Sequence, residues 1–183
     1  MNEQPAGYDR DRFPVWLDVD GDGCDTRNQV LRRDSLTPTQ VDPVGCQVIA
    51  GDWRSPYDGA TWEHPGDVDI DHVVSLKEAW DSGARSWGAG RRTAFANDTS
   101  DPRTLAVSTD SVNASKGDKD PSNWLPPRHG DWCRFVGDWI AIKARWELSM
   151  DQSEAGRLRN LLRDECPGLT LRPWPAPPAT TSP

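Results

Sequence analysis

The feature that most constrains this chain is the segment from Val68 to Val74, where valine and isoleucine alternate with carboxylates and one histidine follows. β-Branched residues in this rhythm favour a β-strand. A carboxylate offers a hard oxygen ligand for a divalent cation, and an imidazole titrates near neutral pH. Asp71 and His72 are therefore candidates for chemistry, although a hydrogen-bonded histidine and an exposed carboxylate on a plain strand would look the same.

A second segment, residues 112–119, carries an amide and two lysines. The carboxamide oxygen of Asn113 could complete a metal site, and Lys116 and Lys119 could contact a phosphate. Asparagine also caps helices, and a cluster of lysine and aspartate is usually a solvated turn. Nearby Trp124 either packs this segment onto the rest of the protein or stacks on a base. Together, the two segments suggest metal-assisted phosphodiester cleavage.

Several short runs extend this pattern: Asp71-His72, Ala-Asn97-Asp, Asn113-Ala-Ser-Lys-Gly-Asp-Lys-Asp-Pro, and Asn123-Trp-Leu-Pro-Pro. With these runs the chain resembles the HNH endonucleases, specifically their secreted bacterial branch, over about residues 26–166. The resemblance implies an α+β fold built on a ββα-metal core, in which a hairpin is followed by a helix. Short strands and a C-terminal antiparallel helix pair would surround that core.

The resemblance also implies roles for individual residues. His72 would act as general base, Asp71 and Asn113 would hold one hydrated Mg²⁺ or Mn²⁺, and the products would carry 5′-phosphate and 3′-hydroxyl ends. Asn97 would orient the base, but it could equally be a plain turn residue, with its place taken by another polar residue of the same loop: Asp101 or Arg103.

Adjacent residues on a flat strand point to opposite faces, so Asp71 and His72 could not both face one phosphate in a regular strand. The resemblance therefore implies a twist or bulge at the strand end that re-aims one of them. Asp69 would either shape the surroundings of the metal or face water.

The C-terminal part predicts two helices. Large apolar residues recur at helical spacing from Trp132 to Trp146, and Asp151 with Glu154 forms a capping pair for the next helix. We expect three parts along the chain: a flexible N-terminus (1–15), a single HNH nuclease domain (16–166) and a disordered proline-rich tail (167–183).

The four cysteines predict two disulfides. Cys133 lies near the start of the first C-terminal helix and Cys166 just beyond the second, so an antiparallel pair brings them to one end. Cys24 and Cys46 then pair with each other. The cysteines lack the C-x-x-C spacing of zinc and redox motifs, and two disulfides indicate an oxidising compartment. We therefore expect secretion, with an apolar leader missing from the given N-terminus.

The net charge of −8 is unevenly distributed. Residues 1–71 contain 15 acidic and 6 basic groups (net −9), whereas residues 72–183 contain 14 acidic and 15 basic groups (net +1). An acidic chain of this kind should bind nucleic acid weakly, with affinity that falls as salt rises. We expect a monomer that acts on DNA, with RNA left open, and no membrane partner. No recognition helix or basic arm is evident, which favours low sequence specificity.

An acidic loop precedes the first helix. Asp18, Asp20, Asp22 and Gly23 match positions 1, 3, 5 and 6 of a calcium loop, but position 12 falls on Gln29 where glutamate is required. The loop is either a structural Ca²⁺ site or a simple Asp/Gly turn. Two rival functions stay open: a sequence- or structure-specific nicking endonuclease of phage or restriction type, and a calcium-stabilised extracellular binding module with a degenerate site.

Overall fold

The computed structural model describes residues 6–171, 173, 176 and 177, and its architecture is mixed α+β. Among these residues, none of the helices is both long and apolar enough to cross a membrane. The α-helices are α1 (Thr26–Asp34), α2 (Leu76–Asp81), α3 (Ala89–Ala96), α4 (Asp110–Lys116), α5 (Trp132–Trp146) and α6 (Gln152–Asp164). The strands are β1 (Gln40–Val41), β2 (Val48–Ala50), β3 (Trp53–Arg54), β4 (Thr61–Trp62), β5 (Val68–His72) and β6 (Leu105–Thr109).

The strands form antiparallel pairs of β1 with β2, β3 with β4, and β5 with β6. The third pair is the longest and contains the segment singled out in the sequence. Its register runs from Val68 opposite Thr109 to His72 opposite Leu105 without an irregular step. The connection between its two strands contains α2 and α3, and α4 begins at the residue after β6.

Local signals explain where these elements begin and end. The Ser75 side chain accepts a hydrogen bond from the Glu78 backbone N–H and so caps the start of α2. Helix α4 ends at Gly117, whose φ of +52° suits glycine because it carries no Cβ. Asp151 caps α6 by accepting from Glu154 N–H, as the sequence predicted.

Two apolar clusters flank the third strand pair. One lies beneath α1, β5 and β6 and includes Trp53, Ile70 and Leu105, each at most 5% exposed. The larger cluster joins α2, α3, α5 and α6 and includes Phe95 and Trp139, both fully buried. Aromatic side chains bury large apolar areas, so these clusters supply much of the driving force for folding.

Both predicted disulfides are present. Cys24 is bonded to Cys46, and Cys133 at the start of α5 is bonded to Cys166 just beyond α6. The second bond requires α5 and α6 to run antiparallel, which confirms the predicted helix pair. No described cysteine is free.

The predicted domain boundary at residue 16 lies too late in the chain. Phe13 is 1% exposed and packs edge-on against the rings of Trp80 and Phe95, and Tyr8 lies against the same cluster. An aromatic pair of this kind stabilises the fold beyond simple area burial. Residues 1–5 and most of the predicted tail lie outside the described residues, although Leu169 packs against the larger cluster.

Candidate functional site

His72 lies at the end of β5 with its imidazole enclosed. The ring is 6% exposed, and its centroid lies 5.8 Å from the Trp16 ring and 6.4 Å from the Phe95 ring. His72 Nε2 lies 2.9 Å from the backbone oxygen of Ala96 at the end of α3. A carbonyl oxygen can only accept, so Nε2 carries the proton and Nδ1 keeps its lone pair. Burial lowers the pKa of His72 to about 4.

Asp71 points away from His72, as expected for neighbouring residues of a regular strand. Asp71 Oδ1 accepts from Lys116 Nζ at 2.9 Å, and Asp71 Oδ2 accepts from the Tyr57 hydroxyl at 2.5 Å. Burial raises the pKa of Asp71, while the Lys116 ammonium opposes that shift. The predicted bulge that would turn Asp71 and His72 towards one point is absent, because the pairing of β5 with β6 is regular.

Asn113 lies on α4 but contacts Asp69 rather than Asp71. Its Nδ2 donates to Asp69 Oδ2 at 3.0 Å, and Asn113 and Asp69 are both partly exposed. Asp110, at the exposed start of the same helix, lies beside Asp69, and hydrogen bonding to Asp69 raises the pKa of Asp110. The oxygen-rich group is therefore Asp69, Asp110 and Asn113, and the predicted pairing of Asn113 with Asp71 requires correction.

Lys116 is not placed to meet a substrate phosphate. It is fully buried, and its ammonium donates to Asp71 and to the backbone oxygen of His72, both at 2.9 Å. A buried ammonium needs such partners, since an unpaired charge inside a protein is strongly unfavourable. Lys119 is exposed and donates to the Ser115 backbone oxygen at 2.6 Å, so a phosphate contact by Lys119 stays a prediction.

The Asn97 side chain forms hydrogen bonds that connect separate parts of the chain, and none of its described hydrogen bonds is to His72. Its Nδ2 donates to the backbone oxygens of Pro14 (2.7 Å) and Thr93 (2.9 Å). Its Oδ1 accepts from Leu17 N–H and from the Thr26 hydroxyl, both at 3.0 Å. The preceding residue supplies the carbonyl that holds His72, so Asn97 fixes the surroundings of the imidazole indirectly.

The alternative residues of this loop serve its internal structure. Asp101 is fully buried and pairs with Arg103, whose Nη2 lies 2.7 Å from Asp101 Oδ2. The hydrogen bond that His72 donates near this loop is accepted by the backbone oxygen of Ala96.

The acidic loop brings Asp18, Asp20 and Asp22 together, with one oxygen of each within 4.8 Å of the others. All three are exposed, and their oxygens accept hydrogen bonds from backbone N–H groups of the same loop, such as Gly21 at 2.8 Å. Gln29, at the position where a calcium loop has glutamate, donates to Asp20 at 2.9 Å. The loop has the hydrogen bonding of an Asp/Gly turn, and structural Ca²⁺ stays a prediction.

Sequence reasoning missed Tyr57 and Trp16. Tyr57 is fully buried, and its hydroxyl donates to Asp71; burial raises the pKa of Tyr57 well above its ordinary value. Neither residue belongs to a motif, although Trp16 lies just before the acidic loop that begins at Asp18, so no local signal marked them. Trp124, in contrast, packs as expected: its ring lies 5.3 Å from that of Tyr57, and its Nε1 donates to Ser115 on α4.

Sequence comparison places the chain in a family. A protein of Arthroderma benhamiae, described as an "Uncharacterized secreted protein", is 49% identical over 156 residues. The match covers 85% of this chain and 74% of the fungal protein. The chain belongs to the family of that protein. Its relative's name and its own two disulfides agree on location: this family member is secreted. No protein-family model and no solved structure matches the chain.

Proposed function

We propose that the protein is a secreted, metal-dependent endonuclease of the HNH class that hydrolyses DNA with low sequence specificity. The observation that carries the proposal is the unit of β5, β6 and α4. In this unit, two side chains of α4 are tied to the strand that ends in His72: Asn113 donates to Asp69, and Lys116 donates to Asp71. The order of two antiparallel strands followed by a helix is the one that the HNH resemblance implies, although Asn113 pairs with Asp69 in place of Asp71.

In this proposal His72 is the general base. Its Nε2–H is held by the Ala96 carbonyl, which fixes the ring and leaves the Nδ1 lone pair to accept a proton. Because burial lowers the pKa of His72 to about 4, the imidazole is neutral at physiological pH. In the proposed reaction Nδ1 takes a proton from water, the water oxygen attacks phosphorus, and the bond to the 3′ oxygen breaks. The departing 3′ oxygen takes a proton from a solvent water and becomes a hydroxyl, the phosphate stays on the 5′ end, and His72 returns its proton to solvent.

Asp69, Asp110 and Asn113 are the residues that would hold a divalent cation. Both oxygens of Asp71 already accept hydrogen bonds from buried partners, whereas this group lies at the surface and brings two carboxylates together. Carboxylate and amide oxygens are the ligands that Mg²⁺ and Mn²⁺ prefer. When bound, such a cation would stabilise negative charge on a phosphate. Asp69 lies on the same face of β5 as Asp71, so joint action with His72 requires a substrate that reaches both faces of this strand.

Lys116 and Asp71 act in this proposal as positioning residues. The Lys116 ammonium joins α4 to the backbone oxygen of His72 and to the neighbouring carboxylate. It therefore fixes the end of β5 relative to the helix that carries Asn113. Fixed placement of this kind is what a catalytic group requires, because small displacements reduce the rate steeply.

Incubation with supercoiled plasmid and Mg²⁺ or Mn²⁺ tests the proposal. We expect loss of supercoiled DNA that EDTA abolishes and that His72→Gln slows by about 10²–10⁴-fold, the usual contribution of a general base. His129→Gln is the matched control. His129 is exposed, lies just before α5, and pairs with Glu165 just beyond α6. Wild-type rates for His72→Gln, with folding confirmed by circular dichroism, would contradict the proposal. Discrete bands in place of a smear would favour the nicking endonuclease.

A specific observation also favours the binding module as a second candidate. Inside the protein, both oxygens of Asp71 accept hydrogen bonds, one from Tyr57 and one from Lys116. Such mutual hydrogen bonding is expected when a former catalytic site only stabilises the fold. That function predicts no plasmid cleavage with any divalent cation. It also predicts that Ca²⁺ raises the melting temperature through Asp18, Asp20 and Asp22, and that Asp20→Asn removes the effect.

A further inference from the structure

We infer that Trp16 is a stacking platform for an unpaired base next to the scissile phosphate, and that single-stranded nucleic acid is the preferred substrate. The inference rests on the proposed nuclease function and names the substrate class of that site. It is carried by the position of the indole, by the way the backbone holds it, and by the charge around it.

The first observation is the position of Trp16. Its ring lies 5.8 Å from the imidazole of His72, with 36° between the ring planes. The residue is only partly buried, and it also lines an open groove of about 820 Å³. The indole thus lies beside the proposed base and also borders a space large enough for a nucleotide, while it packs against the apolar cluster that contains Trp53 and Ile70.

The second observation is the backbone that presents the indole. Trp16 has a φ of +59°, which a bulky residue rarely adopts because it is sterically unfavourable. Asn97 holds this conformation from both sides, because it donates to the Pro14 oxygen and accepts from the Leu17 N–H. Positive φ held in this way is typical of functional sites, where the surrounding structure fixes a side chain in place.

The third observation is the charge of the groove. Asp18, Asp25 and Asp42 line it, and the Arg27 guanidinium that also lines it donates to the backbone oxygens of Pro65 and Val68. Carboxylates repel the phosphates of a nucleic-acid backbone but not an uncharged base. The groove therefore disfavours a phosphate but does not repel an uncharged base.

These observations together favour a single strand over a duplex. A duplex keeps its bases stacked inside and would bring a second phosphate backbone towards the acidic residues 1–71. A single strand can place one base on Trp16 while its phosphate lies towards His72. Stacking on an aromatic side chain is worth about 1–3 kcal/mol per base, which corresponds to a factor of roughly 5–150 in affinity.

The test uses end-labelled DNA strands with one abasic residue, resolved at single-nucleotide level, together with the matching duplex. Wild-type protein should cleave the single strand faster than the duplex. It should also cleave the bonds flanking the abasic residue at least fivefold more slowly than the same bonds in the intact strand. Trp16→Ala should slow cleavage of the intact strand by a similar factor and lose sensitivity to the abasic residue, whereas Trp16→Phe should retain both properties.

Trp132→Ala, at the start of α5, controls for the loss of a tryptophan elsewhere and should keep the wild-type abasic effect. Equal abasic effects in wild type and Trp16→Ala, or faster cleavage of the duplex, would overturn the inference while leaving the nuclease intact. If Trp16→Ala does not fold, the inference is still tested by the wild-type protein and by Trp16→Phe. Absence of slower cleavage beside the abasic residue in both proteins would overturn it. If the wild-type protein cleaves neither substrate, the proposed function fails and the inference fails with it.

Discussion

The side chain of Lys116 lies wholly inside the protein, between α4 and the end of β5. Its ammonium and the Asp71 carboxylate form an ion pair at 2.9 Å, and Asp71 is only 5% exposed. Breaking one partner of a buried pair leaves the other charge without compensation, which costs more than the pair itself contributes. This pair is therefore a sensitive point of the fold.

Replacing Lys116 by Met should lower the free energy of unfolding by about 3–5 kcal/mol, measured by urea denaturation. Lys119→Met provides the matched control, because Lys119 is exposed, and its effect should stay within about 0.5 kcal/mol. Adding Asp71→Asn to Lys116→Met should recover part of the loss, because the uncompensated carboxylate is gone. Equal stabilities for the two lysine variants would show that the pair is not formed.

His72 should make the stability of the protein depend on pH. Burial lowers the pKa of His72 in the folded state to about 4, below its ordinary value of 6.5. The unfolded chain therefore binds more protons between these values, so stability is lost as pH falls from 6.5 to 4 and the loss levels off below. Relative to His72→Gln, measured in EDTA, wild type should lose about 3 kcal/mol across this window. Parallel stability curves for the two proteins would contradict the burial of a neutral imidazole.

Elements whose ends are set by neighbouring residues could be predicted from the sequence. The Gly117 stop of α4 and the Asp151 cap of α6 are signals of this local kind. The partners of Asp71 could not be predicted, because Tyr57 lies 14 residues away on another part of the chain. Lys116 was misassigned for the same reason: whether a lysine is buried depends on a distant carboxylate that sequence spacing does not reveal.

A disulfide connects the start of α5 to the end of α6 and stabilises this helix pair. Cys133 and Cys166 are separated by 33 residues, so the bond restricts a long loop of the unfolded chain. Replacing both cysteines by serine should lower the free energy of unfolding by about 3–4 kcal/mol, on the chain-entropy estimate. Thermal denaturation of the wild-type and variant proteins checks this, and mass spectrometry after alkylation without reduction should find no free thiol. Four alkylated thiols would contradict both disulfides.

At the scale of the whole molecule, the acidic charge of the protein opposes binding of the polyanionic substrate that the proposed function requires. The net charge of −8 disfavours strong, steered binding of nucleic acid, and the net negative charge lies before His72, with −9 for residues 1–71. A divalent cation at Asp69, Asp110 and Asn113 together with a base stacked on Trp16 would allow turnover without a basic surface. Weak substrate binding is compatible with a secreted enzyme, because cleaved products leave the protein quickly and diffuse away outside the cell.

The most direct test of the central claim is analysis of the ends produced from a labelled oligonucleotide in Mg²⁺ or Mn²⁺. The proposed reaction predicts 5′-phosphate and 3′-hydroxyl ends, formed by wild type and by His129→Gln but not in EDTA. His72→Gln should form the same ends at least about 10²-fold more slowly. Absence of cleavage by the wild-type protein with either cation, or undiminished cleavage by folded His72→Gln, would contradict the claim that this hairpin and helix form a nuclease site.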